Sequence, residues 1–359
     1  RWKGWQMRFR FKPSLTWSLL LLLGAAMFIP VPYVMTTPGP VFNTIGEVNE
    51  IELISISGTQ TFPTEGELDM TTVSEYGGPQ DGLEMFQAIW GWISPDRKVV
   101  PRESVYPEGE TEAENTARNV EAFSTSQSYA IAAAMDYLEL PINERVLVTS
   151  VGLDTPAQDK LRAGDEILAV DGVAITTPEQ VVAAVRSKPI GTDLTFSVVR
   201  NDSNLDVVVT SSNRQDDPVT PEDEAAIPYI GIGIDISYSA DFEIDFGVTG
   251  VGGPSAGTMF AVGIIDKLTP GALTQGKIIA GTGTIDPDGN VGEIGGIQQK
   301  LIGARDAGAV LFLAPKGNCD EVIGHIPDGL TVAAIETLED AMDEIESFNS
   351  SGVVTSCVK

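Results

Sequence analysis

The feature that most constrains this sequence is a glycine-rich turn that leads directly into an apolar helix. The turn occupies residues 250–257 with the sequence GVGGPSAG, and the apolar spacing after it predicts a helix over residues 258–268. A turn of this kind can hold Ser255 exposed, and it brings unpaired backbone N–H groups and the positive end of the helix dipole close to the hydroxyl. Such groups can stabilise an oxyanion. We therefore predict that Ser255 is a nucleophile and that its neighbours form an oxyanion-binding turn, namely Gly253, Pro254, Ala256 and Gly257.

The predicted nucleophile needs a base, because a serine hydroxyl is only weakly nucleophilic on its own. The sequence has one histidine, His325, and the order Ser255, Asp320, His325 is the order found along the chain of α/β-hydrolases. The other candidate base is a lysine, since burial disfavours the charged ammonium and lowers its pKa into a useful range. The residue types therefore leave both a Ser-His and a Ser-Lys mechanism open.

Four segments in the last third of the chain match, in order, the proteolytic domain of the Lon family. They are the G-P-S-A-G run at 253–257, the T-G pair at 282–283, the G-x-V-x-x-I-G-G-I-x-x-K run at 289–300 and the segment 304–315. The chain therefore resembles the Lon-like serine proteases. The resemblance implies that Ser255 is the nucleophile, Lys300 the catalytic base and Thr282 a residue that orients the lysine.

Two positions depart from the Lon pattern. Gly252 stands where the family usually has Asp, and Thr284 stands where an acidic residue usually follows the T-G pair. The 359 residues also contain no G-x-x-x-x-G-K-(S/T) loop, so ATP-driven unfolding is not expected from them. The resemblance implies an ATP-independent serine endopeptidase. A catalytically inactive scaffold that only binds peptides is the alternative from a different class.

A second resemblance covers about residues 140–212. The run LRAGDEILAVDGV at 161–173, preceded by T-P-A at 155–157, resembles the bacterial type of PDZ domain. Domains of this family bind an extended peptide by adding it to a sheet edge, so we expect a ligand that tethers substrate or regulates access to the active site. The edge strand is predicted to begin near Arg145, after a loop at residues 140–143. A role in packing alone is the alternative.

The predicted fold is α+β, with one transmembrane helix, a Lon-type proteolytic domain and an inserted PDZ domain. Residues 94–114 are polar and contain proline, and they are predicted to be a loop. The predicted segments are a cytoplasmic basic segment at 1–12, a transmembrane anchor at 13–34, an N-terminal part of the protease domain at 35–139, the PDZ domain at 140–212 and the rest of the proteolytic domain at 213–359.

The charge distribution indicates where the chain is located. Five basic residues within the first 12 precede an uncharged stretch, in which residues 15–34 form a largely apolar segment long enough to cross a bilayer as a helix. This pattern predicts a single-pass protein of the bacterial cell membrane with a cytoplasmic N-terminus and an extracytoplasmic body. A cleaved signal peptide, with Gly24-Ala25-Ala26 at the cleavage site, is the alternative.

The composition limits the partners and cofactors. The net charge of −29 argues against nucleic acid, which would repel so acidic a chain. One His and two Cys exclude His-rich metal sites and zinc ribbons, so we expect neither a metal nor a cofactor. The expected partners are protein or peptide substrates, a peptide ligand of the PDZ domain, the membrane and, because Lon-like domains often form hexameric rings, further copies of this chain.

The two cysteines, Cys319 and Cys357, allow one disulfide bond, which would tie the C-terminal tail to the body. Disulfide bonds persist in oxidising compartments, so this pairing fits an exported protein. Two unrelated thiols are the alternative.

Overall fold

The computed structural model describes residues 13–80, 82–107, 109–201, 203–214 and 226–357, with only the backbone of residues 13–16. The predicted cytoplasmic segment at 1–12 therefore lies outside the described residues. Within those ranges the helices are α1 (Pro13–Ala26), α2 (Met85–Ile93), α3 (Glu112–Tyr137), α4 (Pro178–Arg186), α5 (Gly257–Leu268), α6 (Ile297–Asp306), α7 (Cys319–Val322) and α8 (Leu338–Ser351).

The strands are short in most of the chain and long in the two main sheets. They are β1 (Pro30–Val31), β2 (Tyr33–Asn43), β3 (Glu47–Val48), β4 (Ile51–Glu52), β5 (Ile54–Ser57), β6 (Glu67–Tyr76), β7 (Leu83–Glu84), β8 (Lys98–Pro101), β9 (Ile142–Val151), β10 (Glu166–Val170), β11 (Val173–Ala174), β12 (Asp193–Arg200), β13 (Ser203–Thr210), β14 (Ser212–Asn213), β15 (Pro228–Tyr229), β16 (Ile232–Ala240), β17 (Glu243–Phe246), β18 (Ile278–Gly281), β19 (Thr284–Ile285), β20 (Val291–Gly292), β21 (Leu311–Pro315) and β22 (Thr331–Ile335).

The first main sheet has the strand order β22-β21-β18-β6-β2-β8 and is covered on both faces. Strands β22, β21, β18 and β6 run parallel, while β2 is antiparallel to its neighbours β6 and β8. In β21, Leu311 and Leu313 join the core on one face, and Phe312 and Ala314 join the core on the other. Because both faces are buried, this strand is apolar throughout rather than alternating.

Helix α5 lies at the centre of the largest hydrophobic core of the described structure. Eleven of its twelve residues are buried, and it packs against α3, α8 and β6. Its sequence, GTMFAVGIIDKL, is apolar on nearly every side, as a helix enclosed by protein must be. Helix α6 packs on the opposite face of the sheet against β2 and β6. The two helices that follow the predicted motifs therefore approach β6 from opposite sides.

The second main sheet has the strand order β13-β12-β10-β9-β16, with β11 paired to β10 and α4 packed beside β15 and β16. Strand β9 pairs with both β10 and β16, so it lies inside the sheet. The prediction that the edge strand begins near Arg145 is therefore wrong, and β16 is the edge strand instead. This strand follows the acidic segment after residue 212, which explains why the local motif did not reveal it.

Residues 13–34 do not form a transmembrane helix. Helix α1 has 14 residues and ends at Ala26, whereas a membrane-spanning helix needs about 20. Throughout the described ranges, no helix is both long and apolar enough to cross a membrane. Two prolines in this segment, Pro30 and Pro32, disfavour a continuous helix, and Val34 is fully buried as part of β2. The predicted transmembrane anchor, and with it the predicted single-pass localisation, are therefore wrong.

The predicted loop at residues 94–114 contains regular structure. Strand β8 pairs with β2 from Tyr33↔Pro101 to Thr36↔Lys98 and forms one edge of the first sheet, and α3 begins at Glu112. Pro101 lies at the end of this edge strand, a position in a sheet where proline is tolerated.

Candidate active site

The turn before α5 holds Ser255 between two clamped backbone segments. The Gly253 amide donates to the carbonyl of Asn119 in α3 at 2.9 Å, and Gly253 itself has a φ of +85°, which favours glycine. On the other side, the carbonyl of Ser255 accepts from the Gly283 amide at 2.9 Å and from Thr282 Oγ1 at 3.0 Å. The turn is therefore fixed from α3 on one side and from the segment after β18 on the other.

Two amides of the turn remain available for a ligand. Among the described residues, the N–H groups of Ser255 and Ala256 have no hydrogen-bond acceptor in the protein. Gly257 packs closely behind them, since a Cβ at this position would lie 2.8 Å from Ile285 Cγ2 and 2.9 Å from Ser126 Oγ. The predicted turn residues thus form a tight bend with two free donors beside Ser255.

Lys300 reaches Ser255 from helix α6, which lies on the face of the first main sheet opposite to α5. The helix begins after Gly296, which has a φ of +70°, and a Cβ there would lie 2.8 Å from Val73 of β6. The close approach of this helix to β6 brings Lys300 Nζ within 2.7 Å of Ser255 Oγ and 2.8 Å of Thr282 Oγ1. The structure therefore brings together the three residues that the motifs predicted.

Burial sets the charge state of Lys300. The residue is 2% exposed, and removal from water lowers the pKa of its ammonium to about 7. No ion pair between described residues involves Lys300, and the two positions that depart from the family pattern, Gly252 and Thr284, are uncharged. Without a carboxylate partner to stabilise the ammonium, the neutral amine is well populated near neutral pH.

The alternative base, His325, is placed elsewhere. Its Nδ1 lies 3.3 Å from Gln298 Nε2, and Asp320 is on the short helix α7. The only side chain described within hydrogen-bond distance of Ser255 Oγ is Lys300. The geometry therefore favours the Ser-Lys pair over a Ser-His triad.

A cavity of about 790 Å³ opens directly onto Ser255 and Lys300. Its walls come from strands β2, β6 and β8 as well as from the motif segments, including residues 71–75 of β6 and residues 249–256 of the turn. Strand β18 pairs with β6 only as far as Met70, so the edge of β6 that faces the cavity is unpaired from Thr71 onward in the described structure. This cavity has the size of a ligand site and an open strand edge beside Ser255.

Three features of the site were not found from the sequence. Ser126 Oγ donates to the carbonyl of Pro254 at 3.0 Å, and the Asn119 carbonyl accepts from the Gly253 amide, but Ser126 and Asn119 lie far from the turn along the chain.

The third feature is a groove beside the edge strand β16, which is lined by Val181, Val182 and Val185 of α4 and by Ile230, Ile232 and Ile234. The sequence contained one local signal for this groove, which is the glycine of Ile230-Gly231-Ile232 directly before strand β16. In the structure, Gly231 has a φ of +78°.

The remaining predicted residues concern the disulfide bond and metal binding. Cys319 and Cys357 form a disulfide bond, which joins α7 to the C-terminal segment. Across the part of the chain that the structure describes, no group of three or more His, Cys, Asp or Glu side chains could hold a metal ion.

Comparison with known proteins agrees with this arrangement. Residues 233–346 match the family model of the Lon protease (S16) C-terminal proteolytic domain, and residues 120–210 match that of the PDZ domain. The match over residues 233–346 thus supports a serine peptidase. More particularly, the two matches and the relatives below support a PDZ-containing, Lon-like peptidase of the S16 type.

The relatives differ in how much of the chain they share. Lon protease 1 of Bacillus subtilis is 24% identical over 326 residues, which are 86% of this chain and 38% of that protein. Lon protease of Clostridium beijerinckii is 39% identical over 95 residues, which are 26% of this chain and 12% of that protein. The chain therefore spans well under half the length of these relatives.

Among the solved structures that match part of this chain is a PDZ domain. The PDZ domain of the SdrC-like protein from Listeria monocytogenes is 28% identical and covers 25% of this chain and 86% of its own, with a TM-score of 0.22.

Proposed function

We propose that this protein is a serine endopeptidase in which Ser255 is the nucleophile and Lys300 the general base. The observation that carries the proposal is the 2.7 Å separation of Lys300 Nζ and Ser255 Oγ at a buried position. A lysine amine with a pKa near 7 can accept a proton at physiological pH, whereas an ordinary lysine is almost fully charged there.

The reaction uses the amine twice. Neutral Lys300 accepts the hydroxyl proton of Ser255 while Oγ attacks the carbonyl carbon of the scissile peptide bond. The tetrahedral oxyanion is held by the free amides of Ser255 and Ala256. The ammonium then protonates the leaving amine as the C–N bond breaks. Water attacks the acyl-enzyme with Lys300 again as base, which releases the acid product and restores the hydroxyl.

Thr282 directs the lone pair of the lysine. Its hydroxyl proton is used in the hydrogen bond to the Ser255 carbonyl, so its oxygen can only accept from Lys300 Nζ. With one N–H of the amine engaged in this way, the lone pair of the neutral amine is free to face Ser255 Oγ. Thr282 therefore positions the base without taking part in proton transfer.

The substrate is an extended protein or peptide segment. The unpaired edge of β6 from Thr71 onward offers backbone donors and acceptors beside Ser255, and a strand added there would place a peptide bond near the nucleophile. Because the 359 residues contain no nucleotide-binding loop of the Walker A type, this chain would cleave without hydrolysing ATP. Substrates are therefore expected to be unfolded or short.

The PDZ module is proposed to bind a second peptide segment. The groove between α4 and β16 has an apolar lining, and the unpaired edge of β16 near Ile232 can accept an added strand. Such binding would tether a substrate or regulate access to the active site. From the family resemblance alone, we further propose that six copies assemble into a ring, which light scattering after size-exclusion chromatography would test.

The test of the proposed function is hydrolysis of a mixture of fluorogenic peptides in the absence of ATP. Wild type should cleave, Ser255→Ala and Lys300→Ala should show no turnover, and His325→Ala should match wild type. A wild-type protein that cleaves none of the peptides, or turnover that survives Ser255→Ala, would overturn the proposal. Loss of activity in His325→Ala would instead support the Ser-His mechanism.

A further inference from the structure

We propose that Ser126, on helix α3, is a positioning residue that orients the Ser255 amide toward the oxyanion. This inference rests on the proposed function, since it assigns a role within the same site. The carrying observation is the hydrogen bond of 3.0 Å that Ser126 Oγ donates to the carbonyl of Pro254, which lies 128 residues away in the sequence.

The hydrogen bond fixes the peptide plane that precedes the nucleophile. The carbonyl of Pro254 and the N–H of Ser255 belong to one planar trans peptide, so they point in opposite directions. Because Ser126 holds the carbonyl toward α3, the amide is directed to the opposite side. This amide has no acceptor among the described residues, as an oxyanion donor must before substrate binds.

No other described element holds this carbonyl. Its second donor is the Gly257 amide at 3.4 Å, a longer bond that belongs to the turn itself. A bond within the turn can persist while the whole turn shifts, whereas the bond from Ser126 ties the turn to a separate helix. The hydroxyl therefore sets where the turn lies relative to the core, and with it the direction of the amide.

The hydroxyl of Ser126 makes a contact that an ordinary helical serine does not make. A serine inside a helix commonly donates to the carbonyl three or four residues earlier in its own helix, and alanine is the better helix former. Ser126 is 3% exposed and donates across to Pro254 instead. In the same helix, residues 130 and 132–134 are buried alanines, so a small apolar residue would suit the packing. The serine is thus explained by its contact with the turn.

The same face of α3 holds the turn at a second point. The carbonyl of Asn119, seven residues or about two helical turns before Ser126, accepts from the Gly253 amide at 2.9 Å. Two consecutive residues of the turn, Gly253 and Pro254, are therefore held by one rigid helix. Of these two contacts, only the one from Ser126 can be removed by a side-chain substitution, which makes Ser126 the residue to test.

The experiment compares Ser126→Ala with Ser124→Ala, which removes an exposed hydroxyl from the same helix. For Ser126→Ala we expect kcat to fall about tenfold with KM within about twofold, because the lost bond acts on the transition state. Binding of a peptide boronate, whose tetrahedral adduct mimics the oxyanion, should weaken by a similar factor. The pH at which activity is half-maximal should stay unchanged, since Lys300 is untouched. Ser124→Ala should match wild type in all four measurements.

The outcomes separate this inference from the proposed function. Unchanged kcat and boronate affinity in Ser126→Ala, with an active wild type, would overturn the positioning role and leave the Ser-Lys mechanism intact. A rise in KM without a fall in kcat would also overturn it, because that result indicates a role in substrate binding. An inactive wild type, or activity that survives Ser255→Ala, would overturn the proposed function first. Ser126→Cys, which keeps a weak donor, should have an intermediate kcat.

Discussion

Thr282 donates its hydroxyl proton to the backbone carbonyl of Ser255 at 3.0 Å and accepts a hydrogen bond from Lys300 Nζ at 2.8 Å. One buried hydroxyl therefore links Lys300 to the segment that holds Ser255. Because its proton is already committed, the contact with Lys300 has a fixed direction. We therefore expect the fold, rather than the substrate, to orient the lone pair of the neutral lysine.

Replacing Thr282 with valine should impair catalysis without unfolding the protein. The substitution keeps the shape but removes the hydroxyl, so the Lys300 amine loses the contact that orients it. We expect kcat to fall by about 10-fold to 100-fold, the effect of losing a hydrogen bond to an amine that becomes charged in the transition state. Thr284→Val is the matched control, because no described contact links its side chain to Ser255 or Lys300. Equal kcat in the two variants would contradict the role of Thr282.

Peptidase activity should rise with pH through about 7. The charged ammonium of Lys300 cannot accept a proton, and burial lowers its pKa to about 7, so the active fraction falls tenfold for each unit below that value. The measurement is kcat/KM between pH 5 and 9. His325→Ala must retain the same profile, since an ordinary histidine titrates in this range too. A profile that loses its acidic limb in His325→Ala would assign the titration to the histidine.

Lys300→Met should abolish activity and stabilise the fold. An unfolded lysine has a pKa near 10.5, and burial lowers the folded value to about 7, so the folded state binds fewer protons between these values. The free-energy cost of burying the Lys300 ammonium therefore lowers the stability of the fold by its maximum amount below about pH 7. This cost decreases to zero as the pH rises toward 10.5. After allowance for the lost hydrogen bonds, we expect the variant to raise the free energy of unfolding at pH 7 by about 3 kcal/mol.

Denaturant titration at two pH values checks this expectation. The increase in the free energy of unfolding caused by Lys300→Met should be largest at pH 6 to 7 and smaller at pH 10. As a control, Lys316→Met changes a lysine that is well exposed and should show little dependence on pH. A gain for Lys300→Met that does not change with pH would mean that the lysine is charged in the folded protein.

A substitution in the groove beside β16 should weaken peptide binding there without changing cleavage at the active site. Val182 lines it and is 38% exposed, so Val182→Glu introduces a charge without disturbing the core. We expect binding of extended peptides with apolar side chains to weaken more than tenfold, while cleavage of short peptides at Ser255 remains at the wild-type rate. Val208→Glu is the control, because Val208 is 49% exposed on β13, at the far edge of the sheet. Equal peptide affinity in the two variants, measured by fluorescence anisotropy, would contradict the assignment of the groove.

The sequence allowed good predictions wherever the signal was local. Helix α5 begins one residue before its predicted start, at Gly257. The turn around Ser255 and the segment around Lys300 were recognised as ordered motifs, and the structure places them in contact.

The features that were predicted wrongly or missed depend on residues that are distant along the chain. Strand β8 has only four residues and is stabilised by pairing with β2, so its own sequence does not distinguish it from a loop. The length of the apolar segment at 15–34 predicted one helix, but Val34 pairs with Val100 in the first main sheet and is therefore part of a strand rather than of that helix. The contact of Ser126 with Pro254 spans 128 residues and leaves no local pattern. Tertiary pairing, rather than local propensity, decided each of these elements.

The central claim is that the amine of Lys300 is neutral near pH 7 because it is buried beside Ser255. The most direct measurement is an NMR titration of protein labelled in its lysine side chains, with the Lys300 signal assigned by its absence in Lys300→Met. The account predicts a pKa of about 7 for this amine, well below the remaining lysines. A value near 10.5 in the folded wild-type protein would contradict it, because the amine could then not act as the base for Ser255 at neutral pH.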